Sequence, residues 1–137
     1  LNMRRSGGLD AIYIDYLGLL KAENERENRN NCVAEISTAI KALAVELHIP
    51  IIVAAQLNRN AARQDEEPML HELRDSGAIE QDADIVMLLH ALDGLNSDRG
   101  DRKLMLYLAK QRNGALVKTK LLLRCAQMRF VQLPPGA

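Results

Sequence analysis

Short runs of apolar residues along the chain predict three buried strands. Residues 9–17, with the sequence LDAIYIDYL, form the first run, and its strand ends at Asp15. Residues 49–56 and 85–89 form the second and third runs. The second run is rich in β-branched residues, which is typical of a strand covered on both faces. We expect these strands to form a parallel core, because long segments separate them along the chain.

A helix is predicted between the first two strands. From Val33 to Leu47 the apolar residues recur at steps of three and four, the pattern of an amphipathic helix with one buried face. The preceding segment is polar, and Asn30 or Asn31 is the expected N-cap. Pro50 follows the last apolar position of the helix and prevents its continuation.

The remaining pattern predicts a long loop and then a meander. Residues 57–77 are polar and form a long connection, and residues 78–82 add a short helical turn. Three further apolar runs, at 104–109, 116–123 and 128–133, are separated by short turns, so they read as antiparallel neighbours. The predicted fold class is therefore α/β, with a parallel core and an antiparallel extension in one mixed sheet.

Composition adds an uneven distribution of charge. The 137 residues have a formal net charge of zero and are 47% hydrophobic, enough for a packed core. Residues 1–98 carry nine basic and seventeen acidic side chains, whereas residues 99–137 carry nine basic side chains and one acidic, Asp101. Such an asymmetry indicates a charged partner. Aromatic residues make up only 3%, which argues against a protein that binds single strands mainly by stacking.

Other function classes receive no support from the sequence. Cys32 and Cys125 lie far apart without CxxC spacing, and the three histidines are scattered, so neither a disulfide framework nor a zinc site is indicated. No apolar run approaches the length of a membrane span, and no signal-peptide pattern opens the chain. We therefore expect a cytoplasmic protein without a membrane partner.

Polar side chains follow the first two predicted strands. Asp15 ends one strand and Gln56 ends the next, and the carboxyl ends of strands in an open α/β sheet face the ligand crevice. A carboxylate there suits Mg²⁺ bound to nucleotide phosphates, and an amide can orient a water or contact a γ-phosphate. The structural alternatives are a turn cap for Asp15 and a hydrogen bond to the loop start for Gln56. Asn58 and Arg59 follow directly and share this ambiguity.

A second candidate lies in the long connection. Arg74 and Asp75 precede Gly77, and a glycine at positive φ lets backbone amides approach a phosphate closely. Together these residues are a plausible contact to a nucleic-acid backbone. The alternative is a charged turn that caps the following helix.

A third candidate is the predicted hairpin tip. Alternation along the strand places Lys110 and Arg112 on one face, immediately before the turn at Asn113–Gly114. Two cations at this position can reach an anion on another molecule, as an arginine finger does when supplied in trans. The alternative is a solvated hairpin.

The order and spacing of five blocks decide between these interpretations. The blocks are IDYL at 14–17, AEISTAIKALAVEL at 34–47, IPIIVAAQLNR at 49–59, LRDSGAIEQDADIVM at 73–87 and KQRNG at 110–114. Together they resemble the C-terminal motor domain of the DnaB-type replicative DNA helicases. The likeness runs from about Leu9 to Phe130, nearly the whole chain.

This resemblance implies the RecA-like P-loop NTPase fold, with ATP and Mg²⁺ as cofactors. Asp15 matches the Walker B aspartate that acts on Mg²⁺–ATP, and Gln56 matches the sensor glutamine. Lys110 and Arg112 match cations that reach the γ-phosphate bound by the adjacent subunit, with Arg112 as the arginine finger.

The resemblance also implies partners. Arg74, Asp75 and Gly77 match the loop that contacts single-stranded DNA in the central channel of a hexameric ring. A replication loader or primase is a further partner in this family, and the lineage is bacterial or phage-derived. The implied activity is ATP-dependent translocation on single-stranded DNA with duplex unwinding.

The sequence departs from the family pattern in several places. No GxxxxGKS or GxxxxGKT loop occurs in it, so residues 1–137 are expected to form a partial motor domain, without the family's N-terminal collar and with 134–137 as a tail. Ala55 replaces a small hydroxylated residue, and Ala115–Leu116–Val117 replaces the usual residues after KQRNG. We expect the chain to be inactive alone and to dimerise through an exposed sheet edge.

Two other function classes remain open at this point. One is a catalytically inactive DNA-binding or assembly module. The other is part of a different RecA-like ATPase, such as a recombinase or a regulatory ring.

Overall fold

A computed structural model of the chain describes residues 8–22, 28–57, 77–92 and 100–134. The elements are β1 (Ile12–Ile14), α1 (Arg29–Leu47), β2 (Ile51–Val53), α2 (Gly77–Asp82), β3 (Ile85–Ala91), β4 (Arg102–Gln111), β5 (Val117–Arg124) and β6 (Arg129–Gln132), with 3-10 turns at Leu17–Leu19 and Cys125–Gln127. They belong to two compact units that divide between Ala83 and Asp84. The first unit contains β1, α1, β2 and α2, and the second contains β3 to β6.

Helix α1 occupies the predicted position but begins earlier than expected. Its N-cap is Asn28, whose side chain accepts a hydrogen bond from the backbone N–H of Asn30 at 3.3 Å. The prediction of Asn30 or Asn31 as the cap is therefore wrong, because both lie inside the first turn. The helix ends at Leu47, and its C-cap His48 adopts the left-handed conformation (φ 54°), two residues before Pro50.

Strands β1 and β2 pair in parallel, as predicted. Ile12 pairs with Ile51 and Ile14 with Val53, so each strand contributes three residues. Both strands are shorter than their apolar runs. Ile52 is 40% exposed, so the expectation that the second strand is covered on both faces is wrong.

The second unit is a four-stranded antiparallel sheet in the order β3-β4-β5-β6. The predicted meander of three strands is confirmed in β4, β5 and β6. The prediction of a third buried strand beside β1 and β2 is wrong, since β3 pairs with its sequence neighbour β4 and the described strands form two sheets rather than one.

Burial alternates along β3. Val86 and Leu88 are buried, whereas Ile85, Met87 and Leu89 are 46–60% exposed. An apolar run as continuous as this one predicts burial on both faces, but only one face of β3 is covered.

Each unit has a small apolar core. Among the described residues, the buried apolar side chains are Leu17, Ile36 and Leu47 in the first unit and Val86, Leu88 and Leu104 in the second. One polar residue in the described ranges, Ser37 on α1, is buried to the same degree.

Ser37 links the two helices of the first unit. Its hydroxyl donates a hydrogen bond of 2.7 Å to Oδ2 of Asp82, at the end of α2. Thr38 donates to the same oxygen at 3.3 Å from an exposed position. Because a six-residue helix is marginal by itself, these bonds to α1 help to hold α2 in place.

Replacing Asp82 with alanine is expected to weaken α2, because the buried Ser37 hydroxyl loses its acceptor. The local cost is about 1–3 kcal/mol. Hydrogen exchange at the Ala83 amide, which donates to the Ile79 carbonyl at 3.0 Å, measures it directly. Amide hydrogen exchange should accelerate in Asp82→Ala and much less in Thr38→Ala. The loss of local stability in the double variant Asp82→Ala/Ser37→Ala should be smaller than the sum of the losses in the two single variants. Unchanged exchange in Asp82→Ala contradicts the link.

Candidate functional site

Asp15 and Gln56 lie at the carboxyl end of the parallel pair. Asp15 follows β1 directly, and Gln56 comes three residues after the end of β2. Beyond the strands, the Ala54 N–H donates to the Ile14 carbonyl and the Leu17 N–H donates to the Ala54 carbonyl, each at 2.9 Å. These bonds extend the pairing past the strand ends. The structure therefore places both residues at the same edge, as the sequence predicts.

Both side chains are exposed and available for a ligand. Neither makes a hydrogen bond or ion pair with another residue in the part of the chain that the structure describes. The turn-capping alternative for Asp15 thus has no hydrogen bond to support it among these residues. An exposed carboxylate and an exposed amide at a strand end can contact a hydrated cation and a phosphate.

The donor set around Asp15 fits a magnesium ion that arrives with its nucleotide. The described residues contain no group of three or more His, Cys, Asp or Glu side chains able to enclose a metal ion. Mg²⁺ characteristically keeps several waters and binds through one or two carboxylates plus substrate phosphates. A single aspartate is therefore compatible with Mg²⁺ that is held mainly by nucleotide phosphates and water.

The turn after Asp15 is shaped by a close approach between two residues. A Cβ at Gly18 would lie 2.6 Å from Cε2 of Tyr16, so the aromatic ring occupies space that only a glycine leaves free. Leu17, between them, is buried and starts the 3-10 turn. The buried Leu17 side chain thus fixes the segment that follows the carboxylate.

Gly77 differs from its prediction. It is the first residue of α2 and does not adopt positive φ, so the expectation that a left-handed conformation requires glycine here is wrong. Its surroundings are open, and a Cβ would meet no atom within 4 Å. Arg74 and Asp75, like Asn58 and Arg59, lie outside the described residues.

Lys110 and Arg112 lie at the end of β4, where the sequence predicts them. Lys110 pairs with Val86 in the ladder, and Arg112 follows the strand in the turn. The Arg112 side chain is 58% exposed, and its Nη1 lies 3.2 Å from Oδ1 of Asp84. Sequence reasoning missed Asp84, since nothing in the residue pattern shows which side chain faces Arg112.

The stretch of sequence that contains this hairpin is strongly basic. Residues 100–134 contain eight basic side chains and Asp101 as their only acid. The candidate residues divide between the units: Asp15, Gln56 and Gly77 belong to the first, and Lys110 and Arg112 to the second. In the described ranges no helix is long and apolar enough to cross a membrane.

Comparison with known sequences gives a consistent result. The family described as "DnaB-like helicase C terminal domain" matches residues 1–132. A "Probable plasmid replicative DNA helicase" of Chlamydia psittaci is 42% identical over 120 residues, which cover 87% of this chain and 26% of that protein. A "Replicative DNA helicase DnaB" of Geobacillus stearothermophilus is 41% identical over 147 residues, which cover 98% of this chain and 32% of that protein. The chain thus spans about a third or less of the length of these relatives.

Comparison with solved structures agrees. A structure described as an "ATPase Domain" has a TM-score of 0.84 at 35% identity and covers 96% of this chain and 47% of that one. The structure described as "a DnaB-like replicative helicase and its interactions with primase" has a TM-score of 0.82 at 34% identity and covers 96% of this chain and 32% of that one. The predicted fold class, a partial RecA-like core with parallel strands and an antiparallel meander, is confirmed.

Substitution at Asp15 or Gln56 is expected to leave stability almost unchanged, because both side chains are exposed. Asp15→Asn and Gln56→Ala should each change the free energy of unfolding by less than about 0.5 kcal/mol. Leu17→Ala, which empties a buried position in the same segment, should cost about 2–5 kcal/mol. Urea denaturation of the purified chain provides the measurement. A cost for Asp15→Asn comparable to that of Leu17→Ala supports a structural role instead.

Proposed function

Because the chain belongs to the family of DnaB-like helicase C-terminal domains, we propose that it is the later part of a replicative helicase motor. The proposed activity is ATP hydrolysis coupled to translocation on single-stranded DNA and to unwinding of the duplex. The observation that supports it most directly is the parallel pair, which carries an exposed carboxylate and an exposed amide at one edge. This arrangement matches the needs of a nucleotide-binding edge in an open α/β sheet.

In this proposal Asp15 and Gln56 act on the nucleotide. Mg²⁺ bound with ATP neutralises charge that develops on the phosphates. The Asp15 carboxylate would hold waters of that ion, and the Gln56 amide would sense the γ-phosphate from the adjacent strand end. Gln56 also begins the connection toward the proposed DNA loop, so a change at the phosphate can be passed along the chain.

Lys110 and Arg112 are proposed to act on the nucleotide of an adjacent copy. The hairpin tip is basic and exposes Arg112, and arginine matches phosphate geometry with several N–H donors at once. The acidic residues 1–98 and the basic residues 99–137 of neighbouring copies carry complementary charge. We infer a ring of identical subunits, hexameric as in the family the sequence resembles.

Single-stranded DNA is the proposed polymer substrate, contacted by Arg74, Asp75 and Gly77. The open space around Gly77 would let a phosphate come close to the backbone at the start of α2. One structural neighbour is described together with its interactions with primase, and we propose a primase or a helicase loader as a further partner. The proposed compartment is the bacterial cytoplasm.

The 137 residues contain no GxxxxGKS or GxxxxGKT sequence. We therefore propose that they form a partial motor domain that does not hydrolyse ATP by itself, because the amides and lysine that cradle the β- and γ-phosphates are not among them. The same observation favours a second candidate function, a DNA-binding or assembly module without catalysis. The two-stranded sheet of β1 and β2 has edges unpaired with other described strands, through which two copies of the isolated chain would associate.

Arg74→Ala is expected to weaken binding of the chain to single-stranded DNA by removing a phosphate contact. The affinity should fall at every salt concentration, and the slope of log affinity against log salt should decrease by about one. Fluorescence anisotropy of a labelled oligothymidylate measures both quantities. Arg129→Ala, which removes an exposed cation from β6, is the matched control and should change them less. Equal losses in the two variants indicate binding by general charge alone.

Arg112→Ala, made in the full-length helicase that contains this chain, is expected to abolish ATP hydrolysis while preserving nucleotide binding. An arginine finger contributes roughly 10³- to 10⁵-fold to the rate of phosphoryl transfer. Asp15→Asn should also be inactive, because it impairs the Mg²⁺ side of the site. Steady-state phosphate release and equilibrium binding of a fluorescent ATP analogue separate the two effects.

Mixing these two inactive variants tests whether Arg112 acts in trans. An Arg112→Ala subunit keeps an intact Asp15, and a neighbouring Asp15→Asn subunit can supply Arg112 to it. Activity should therefore reappear in mixed rings. Mixtures that remain inactive argue that Arg112 acts within its own subunit.

A further inference from the structure

The end of β4 contains one more residue than the strand opposite it. Leu108 pairs with Met87 and Lys110 pairs with Val86, so Ala109 between them has no partner in the ladder. This is a β-bulge, a feature that shifts register and redirects the side chains beyond it.

The shifted register brings Asp84 and Arg112 face to face. Beyond the bulge Ile85 pairs with Gln111, and the Arg112 N–H donates to the Asp84 carbonyl at 3.0 Å. If the register before the bulge continued, Asp84 would lie opposite Gln111 instead. The ion pair between Asp84 Oδ1 and Arg112 Nη1, at 3.2 Å, is thus specified by the backbone.

We propose that Asp84 is a positioning residue that holds the Arg112 guanidinium at the hairpin tip and yields it to a nucleotide polyphosphate. The backbone hydrogen bond fixes where the arginine starts, and the carboxylate limits which rotamers the long side chain adopts. Both residues belong to the second unit, so the pair exists within one copy of the chain.

Because the ion pair is exposed, a phosphate can readily replace Asp84 as the partner of Arg112; we call this replacement the exchange. The Arg112 and Asp84 side chains are 58% and 53% exposed, and ion pairs this open to solvent are weak. A polyphosphate offers more negative charge and more acceptor oxygens than one carboxylate, and a guanidinium can bind it bidentately. The carboxylate therefore orders the arginine without trapping it.

This inference rests on the proposed function for the identity of the anion, but the exchange itself can be measured on the 137-residue chain. Inorganic tripolyphosphate serves as the probe, and NMR follows the Arg112 side-chain N–H and the Asn113 backbone amide during titration at 0.1 M salt. Asp84→Asn should raise the affinity for tripolyphosphate about two- to fivefold. This is the change in affinity that corresponds to the interaction energy of an exposed ion pair. Adding Arg112→Ala should remove this gain.

Asp101→Asn is the matched control, since it removes the same charge from the same unit. Asp101 precedes β4, whose ten residues separate it from Arg112 by about 30 Å, well beyond the roughly 10 Å screening length at 0.1 M salt. It should raise the affinity much less than Asp84→Asn does. Equal effects of the two variants, or no effect of Asp84→Asn, overturn the proposal.

A second titration with oligothymidylate identifies the source of the phosphate. Asp84→Asn should raise the affinity for tripolyphosphate more than the affinity for oligothymidylate. An equal gain in both affinities overturns the assignment to a nucleotide. The outcome is separable from the proposed function. Exchange at Asp84 without recovery of activity in mixed rings shows that the ion pair is real and that the finger in trans is wrong.

Discussion

Three residue pairs hold β1 beside β2, and the proposed nucleotide edge depends on this parallel ladder. It places Asp15 and Gln56 at one end, and the hydrogen bonds of Ala54 continue the pairing into the turn. A two-stranded sheet is marginal in isolation, so its stability must come partly from the rest of the first unit, where Leu17, Ile36 and Leu47 are buried. A ligand side chain can stay exposed here because other residues provide the stability.

The second unit serves a different physical purpose. Its antiparallel sheet presents cations at the end of a hairpin, and the basic stretch 100–134 attracts anions over a distance set by ionic strength. Asp84 introduces one carboxylate beside Arg112, an exposed cation that needs a defined orientation. Long-range attraction and local orientation are thus supplied by different residues.

The order of elements and the positions of Asp15, Lys110 and Arg112 at strand ends could be predicted from the sequence, because apolar spacing and strand-end position are local properties. α1 and the meander follow directly from such spacing. The N-cap was misplaced because any asparagine in the uniformly polar segment fits the rule equally well. The burial of β3 and the bond between Ser37 and Asp82 were not predictable, since they depend on which distant segments meet. The bulge carried no signal because Ala109 is neither glycine nor proline.

The bulge also limits how this region can change during evolution. Its effect comes from the number of residues between Leu108 and Arg112, and not from the side chain of Ala109. Substitutions at Ala109 preserve that number, whereas deletion of a single residue there changes which residue lies opposite Asp84. Related sequences should therefore tolerate different side chains at the position of Ala109 while keeping the number of residues at this strand end constant.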